Sequence, residues 1–236
     1  IVVAPGPPEQ IRRTEPSPLV PGASVAAVVA EGTIGLGAIG TVTYVDGDRV
    51  WAFGHPFDVA GRRALLMTGV WVHGVVGNPL AIENATPYKL ASMTQAIGAI
   101  TDDRPSGVSG LLGAAPHTFP LIVSVGGGAT AAPIVETTRI ADEEAVGLPT
   151  GVSALQQVLP LAVAQAALDR LRGSPALQSG RMCIEVSVRG RSRPLGFCNR
   201  YAGGAPGSPG GVMSVDAGDL ATTLAAYHFG PLDIEK

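Results

Sequence analysis

GTVTYVDGDRVWAFGHPF, residues 40–57, alternates polar and apolar residues up to Val45 in the way that a strand does. Asp46-Gly47-Asp48 then supplies a turn, and residues 50–53 return as a second strand. The stretch therefore predicts a β-hairpin. It ends on Gly54-His55-Pro56, where the flanking glycine and proline hold an imidazole on a tight backbone. Because histidine is the side chain best suited to proton transfer near neutral pH, His55 is our candidate general base.

Composition limits the class of protein. The chain has 236 residues, of which 46% are hydrophobic and 15% charged, and this balance predicts a folded globular chain. Its 32 glycines and 20 prolines favour short strands and turns over long helices. A net charge of −3 without a basic stripe gives no electrostatic footprint for nucleic acid, and no apolar run is long enough for a transmembrane span. We expect neither a cofactor nor a metal site, since Cys/His zinc spacing is absent.

The pattern along the chain predicts three parts. Residues 1–21 form an extended, proline-containing arm, residues 22–145 a β-rich body, and residues 146–236 a helix–hairpin–helix portion packed on that body. In the last part, a capping box at Ser153 begins one helix, which Pro160 should kink or delay. Asp216 should cap a second helix over residues 217–228. The first residues lack the pattern of a signal peptide, and we expect further regions of a longer polypeptide.

Two cysteines lie in the predicted hairpin of the last part. If its turn is centred between Gly190 and Arg191, Cys183 falls directly opposite Cys198. A cross-strand pair of this kind comes close enough for a disulfide when the two residues form a non-hydrogen-bonded pair. The pattern favours a stapled hairpin in an oxidising compartment, and the alternative is two small buried hydrophobic residues in a reduced protein.

Several blocks of the chain together resemble the SpoIVB-type peptidases (peptidase family S55). These blocks are Gly40-Thr41-Val42-Thr43-Tyr44, Ala52-Phe53-Gly54-His55, Tyr88-Lys89-Leu90-Ala91-Ser92, and residues 98–104 with 106–110. The resemblance covers roughly residues 20–125 and is loose beyond them. It implies a mostly β fold with some α: a trypsin-like double β-barrel or a related β-barrel body, followed here by the helix–hairpin–helix portion.

The resemblance also implies a serine peptidase site. His55 takes the place of the catalytic histidine, and Asp102 or Asp103 is the candidate for the carboxylate that orients it. Neighbouring residues of a strand point to opposite faces, so only one of the two can turn inward, and either could instead pair with Arg104. The family's G-x-S-G-S-P loop is best matched by residues 204–209. There the nucleophilic serine falls on Pro206, which leaves Ser208 as the candidate nucleophile.

Three functions remain open on the sequence. The first is a serine peptidase of an extracytoplasmic, secreted or cell-surface protein, which would hydrolyse peptides or process itself by acyl transfer. The second is a pseudo-peptidase of the same fold that binds a protein or peptide partner without cleaving it. The third is an unrelated β-rich adhesion or assembly subunit. The remaining histidines, His73, His117 and His228, are interpreted as structural.

Overall fold

The computed structural model of the chain describes residues 4–5, 18–76, 88–126, 132–143, 147–148, 154–171, 179–202, 208–227 and 232–235. In these residues the chain is mostly β, with a large antiparallel sheet and two helices, as the sequence predicted. Its contacts separate it into two compact units. The first comprises Ile1–Val29 and Gly35–His117, and the second Ala30–Ile34 and Thr118–Lys236.

The described residues of the first unit form strands and their connections, without a helix. The strands are β1 (Ala4–Pro5), β2 (Ser24–Gly32), β3 (Ile34–Asp46), β4 (Arg49–Ala52), β5 (Gly61–Val76), β6 (Tyr88–Arg104) and β7 (Gly107–Leu112). The end of β2 and the start of β3 belong to the second unit. The order of pairing is β1-β3-β4-β7-β6-β5-β2, and β3 also pairs with β2. This last pairing closes six strands into a barrel-like ring.

Burial follows the apolar runs of β2 and β5. Residues 25–30 read VAAVVA, and all six side chains are buried, so this strand has no solvent face. Residues 65–69 of β5 are buried as well. The strands also approach closely: a Cβ on Gly98 would lie 2.2 Å from the carbonyl oxygen of Leu111 on β7. Glycine is therefore needed at this position of β6.

The second unit combines strands with both helices. Its strands are β8 (Thr118–Val125), β9 (Ile134–Ala141), β10 (Ser179–Val186) and β11 (Leu195–Ala202), and its helices are α1 (Ala154–Leu171) and α2 (Ser208–Ala225). Strand β9 pairs with β8 on one side and with Ala30–Gly32 of β2 on the other. Helix α1 packs against β8, β9 and α2. No helix within the described residues is both long and apolar enough to cross a membrane.

The predicted disulfide is confirmed. Strands β10 and β11 pair antiparallel, and Cys183 lies directly opposite Cys198, as a turn at residues 190–191 requires. The two Cα atoms are 4.2 Å apart and the sulfurs are bonded. This separation is close to the spacing of a non-hydrogen-bonded cross-strand pair. The hairpin is thus covalently stapled at its centre.

The start of the second helix differs from the prediction. Helix α2 begins at Ser208 rather than at residue 217, so Asp216 lies inside the helix and does not cap it. The Asp216 carboxylate instead accepts a hydrogen bond of 2.8 Å from the hydroxyl of Tyr201 on β11. Helix α1 begins at Ala154 and continues through Pro160, so the proline does not delay its start. Ser153 itself lies outside the described residues.

Candidate functional site

The candidate site is the loop of residues 53–60, which connects β4 to β5 and carries His55. The hairpin that precedes it forms as the sequence predicts, with Val45 opposite Val50 and Tyr44 opposite Trp51. The two aromatic rings lie 5.6 Å apart, and the side chains are 57% and 37% exposed. The hairpin thus presents a pair of aromatic side chains to solvent next to the loop.

The backbone of this loop is strained. Phe53 (φ 75°) and Val59 (φ 62°) are the two non-glycine residues with positive φ among those that the structure describes, and both belong to the loop. Neither a phenylalanine nor a β-branched valine adopts this conformation readily, and such strain persists only where the surroundings enforce it. For Phe53, the enforcing contact is a hydrogen bond of 2.9 Å from its amide to the Thr41 carbonyl. Its ring also occupies the space that a side chain at Gly40 would need, 1.9 Å from a Cβ there.

Asp103 holds the far half of the loop from inside. Its side chain is 1% exposed, and Oδ1 accepts a hydrogen bond of 2.7 Å from the amide of Phe57. Oδ2 accepts bonds of 2.8 Å and 3.3 Å from the amides of Asp58 and Ala60. Burial alone would raise the pKa of this carboxyl, but the hydrogen bonds from the amides of Asp58, Phe57 and Ala60 outweigh it and lower the pKa below its ordinary value. Asp103 is thus an ionised anchor for the loop.

A second set of contacts fixes the loop from β5. The guanidinium of Arg63 forms an ion pair of 2.5 Å with Asp58, and it lies 5.6 Å from the centre of the Phe57 ring. Charge attraction and a cation–π contact therefore act on adjacent loop residues. Together with Asp103, they restrain a loop that is otherwise exposed to solvent.

His55 is exposed at the centre of this restrained loop. Its Nδ1 lies 2.7 Å from the carbonyl oxygen of Pro56, and its ring centre is 5.8 Å from that of Phe53. Because a carbonyl only accepts hydrogen bonds, Nδ1 carries the proton, and in the neutral ring Nε2 carries the lone pair. The ring has the tautomer of a general base, although a neutral carbonyl stands in the place of an orienting carboxylate.

The two candidate acids take different positions. Asp103 faces inward and uses both oxygens on backbone amides, as described above. Asp102 is partly exposed and forms a 3.0 Å ion pair with Arg104, the pairing that the sequence left open as an alternative. Among the described residues, the His55 ring donates its hydrogen bond to the carbonyl of Pro56 and not to either carboxylate. The structure therefore does not bring Asp102 or Asp103 to the imidazole.

The candidate nucleophile belongs to the other unit. Ser208 is the first residue of α2, whereas the sequence analysis placed it in a glycine-rich loop. Residues 203–207, which include Pro206 of the peptidase-like loop, lie outside the described residues. For Ser208, the structure therefore establishes only its position at the start of a helix.

Sequence reasoning missed a different serine–histidine pair. His73 on β5 and Ser92 on β6 are joined by a hydrogen bond of 2.8 Å between Nε2 and Oγ. Nucleophile and base have this separation in serine hydrolases. The sequence holds no local signal for the pair, because 19 residues separate its members and only the pairing of Trp71 with Ser92 brings them together.

The second unit contains a small cavity. It is lined by residues of β8, β9, both helices and the chain end, including Phe119, Asp142 and Leu155, and its volume is about 30 Å³. A volume of this size accommodates one or two water molecules. The described residues also contain no cluster of three metal-binding side chains.

The comparisons with known proteins add no assignment. No known protein family, no curated protein and no solved structure matches this chain.

Proposed function

We propose that this chain is a SpoIVB S55-like domain that binds an extended protein or peptide segment without hydrolysing it. One observation carries the proposal: both oxygens of Asp103 are occupied by backbone amides of the loop. The carboxylate that could have oriented His55 is instead used to shape the loop. A histidine oriented only by a neutral carbonyl lacks the negative charge that stabilises the imidazolium during acyl transfer.

The exposed surface supports binding. Tyr44 and Trp51 present two exposed rings, 5.6 Å apart and tilted by 37° to each other, beside the restrained loop. Aromatic side chains are enriched at protein interfaces because they bury a large area at a low cost in side-chain entropy. A restrained loop also favours binding, because the loop loses little conformational freedom when a segment binds. We place the domain outside the cytoplasm, since the exposed Cys183–Cys198 bond is typical of oxidising compartments.

A serine peptidase is the second candidate, and two arrangements would supply it. The resemblance favours His55 as the base for Ser208, with Asp102 or Asp103 orienting the ring. The 2.8 Å bond from Ser92 Oγ to His73 Nε2 favours a different pair. In either case the serine oxygen would attack the peptide carbonyl, and the histidine would transfer its proton to the leaving amine.

Labelling with a fluorophosphonate, which reacts with activated serines, separates the candidates. We expect no adduct by intact mass and no cleavage of denatured casein, with the same result for wild type, Ser92→Ala and Ser208→Ala. An adduct that maps to Ser208 and disappears in His55→Ala would establish the resemblance-based peptidase. An adduct on Ser92 that disappears in His73→Ala would establish the other pair. Either adduct would overturn the non-hydrolytic proposal.

Binding is tested separately by selection from a random-peptide display library on the immobilised protein. We expect sequences to be enriched on wild type and lost on Trp51→Ala, which removes the exposed indole. The matched control is Trp71→Ala, because Trp71 is also exposed but lies on β5. Failure to enrich any sequence, or equal enrichment on Trp51→Ala, would contradict binding at the aromatic pair.

A further inference from the structure

Lys89 makes a set of contacts that the proposed function does not use. It lies on β6, in one of the blocks that carry the peptidase resemblance. Its ammonium donates a hydrogen bond of 3.1 Å to Ser24 Oγ, on the first residue of β2, and another of 3.0 Å to Thr41 Oγ1 on β3. The side chain therefore joins three strands of the first unit, and it is half-buried where it does so.

The hydrogen-bond inventory of this cluster is incomplete. An ammonium has three N–H donors, and two of them go to neutral hydroxyl oxygens. Since each hydroxyl accepts from Lys89, its own O–H points elsewhere and remains a donor. In the part of the chain that the structure describes, no carboxylate forms an ion pair with Lys89. Among the described residues, one N–H and two O–H groups are thus available around a positive charge that has no anionic partner there.

A carboxylate fits this arrangement. It has two oxygens that accept up to four hydrogen bonds, and its single negative charge matches the single positive charge of Lys89. Half-buried ammonium groups are stabilised by an anionic partner more than by neutral hydroxyls. A phosphate fits less well, since a doubly charged group is usually held by several cations or by the forked guanidinium of arginine.

The cluster adjoins the loop that carries His55. Thr41, which binds Lys89 through its side chain, accepts the amide hydrogen bond of Phe53 through its carbonyl. The Phe53 ring in turn lies 5.8 Å from that of His55. A peptide segment bound along the restrained loop would therefore reach the Lys89 ammonium within a few residues of its length.

We infer that Lys89, Ser24 and Thr41 bind a carboxylate of the bound segment, either its C-terminal carboxylate or an Asp or Glu side chain. The inference rests on the proposed function and adds a preference for acidic segments. A segment that places its C-terminal carboxylate, or an Asp or Glu side chain, at this cluster should bind more tightly than a neutral one. The cluster acts as an anchor that sets the register of the segment.

Titration of the isotope-labelled protein, followed by backbone amide chemical shifts at constant ionic strength, tests the anchor. The probes are acetate, N-acetylalanine as the free acid, N-acetylalanine amide and inorganic phosphate. We expect saturable shifts at Ser24, Thr41 and Lys89 with both carboxylates, with dissociation constants of about 1–10 mM, the range of a single ionic contact. The amide should cause none, and phosphate should bind no more tightly than acetate.

Three variants identify the groups responsible. Lys89→Met should abolish the saturable shifts, and Thr41→Val should weaken acetate binding several-fold without changing the net charge. The second variant keeps the test valid if Lys89→Met alters the fold. Arg49→Met is the matched control, since it removes one exposed positive charge of the same unit at the hairpin turn. It should bind acetate as wild type does.

Linear, unsaturable shifts in wild type, or equal loss of binding in Lys89→Met and Arg49→Met, would show that only general charge attraction is present and would overturn the inference. Tighter binding of phosphate than of acetate would overturn the choice of a carboxylate. These outcomes are independent of fluorophosphonate labelling: an adduct would refute the non-hydrolytic proposal and leave the acetate titration standing.

Discussion

Replacement of Asp103 by alanine removes the three hydrogen bonds that hold residues 57–60 from inside. The bonds at 2.7 Å and 2.8 Å are well formed, and a bond to a charged acceptor contributes about 1.5–3 kcal/mol. The third, at 3.3 Å, is weaker. Because the loop is exposed and water replaces part of what is lost, we take the lower end of the range. Asp103→Ala should therefore lower the free energy of unfolding by about 3–4 kcal/mol.

The matched control is Asp102→Asn, on the adjacent residue. The Asp102 carboxylate pairs with Arg104, whose side chain is 62% exposed, and exposed ion pairs contribute about 0–1 kcal/mol. Urea unfolding of both variants measures the difference. Hydrogen exchange at the amides of Phe57, Asp58 and Ala60 reports whether the loop itself has been released, which matters because the chain has two units and need not unfold in one step.

The pH dependence gives a second measurement of the same group. Because the pKa of Asp103 is lowered in the folded state, its contribution is complete above the pKa of the unfolded chain, near 4, and is lost as the pH falls through the folded value. The difference in stability between wild type and Asp103→Asn should therefore be largest near neutral pH and shrink in acid. A loss below about 1 kcal/mol for Asp103→Ala, with unchanged exchange at the three amides, would refute the anchoring role.

Two further predictions concern the stapled hairpin of the second unit. Substitution of both Cys183 and Cys198 by serine removes a cross-link with a sequence separation of 15. In the chain-entropy account, this should lower the free energy of unfolding by about 3 kcal/mol. If the unfolding midpoint of the wild-type protein does not change when reductant is added, the prediction is wrong. Tyr201→Phe removes the 2.8 Å bond to Asp216 and should cost about 1 kcal/mol. Burial, together with the hydrogen bond to Asp216 and its negative charge, raises the pKa of Tyr201 to about 12 from 10.0. Its contribution should thus be complete below pH 10 and decline as the pH rises to 12, and ultraviolet titration of tyrosinate should show no such late-titrating group in the variant.

The two hairpins could be predicted because their register depends on neighbours in the chain. The Asp46–Arg49 turn sets Tyr44 opposite Trp51, and a turn at residues 190–191 sets Cys183 opposite Cys198. In each case alternation of side chains and the position of turn residues determine the pairing, and both are local properties.

The predicted start of α2 was wrong because packing between the two helices, and not the local sequence, determines where this helix begins. Residues 208–216 include Gly210 and Gly211, which disfavour a helix in isolation. Small residues nevertheless allow α2 to pack closely on α1: a Cβ on Gly210 would lie 2.7 Å from the side chain of Ala167, and Ala217 and Ala221 are fully buried. Packing between the helices thus overrides weak local propensity.

The candidate site divides in the same way. Local sequence predicted a histidine on a tight backbone and allowed only one of two adjacent aspartates to turn inward. Tertiary structure decided which one does: Asp103 anchors a loop 43–46 residues away, and Asp102 pairs with Arg104. It also joined Lys89 to Ser24 across 65 residues and His73 to Ser92 across 19. Such contacts depend on which strands pair and in which register, and this is set by the burial of whole strands and not by any short stretch of sequence.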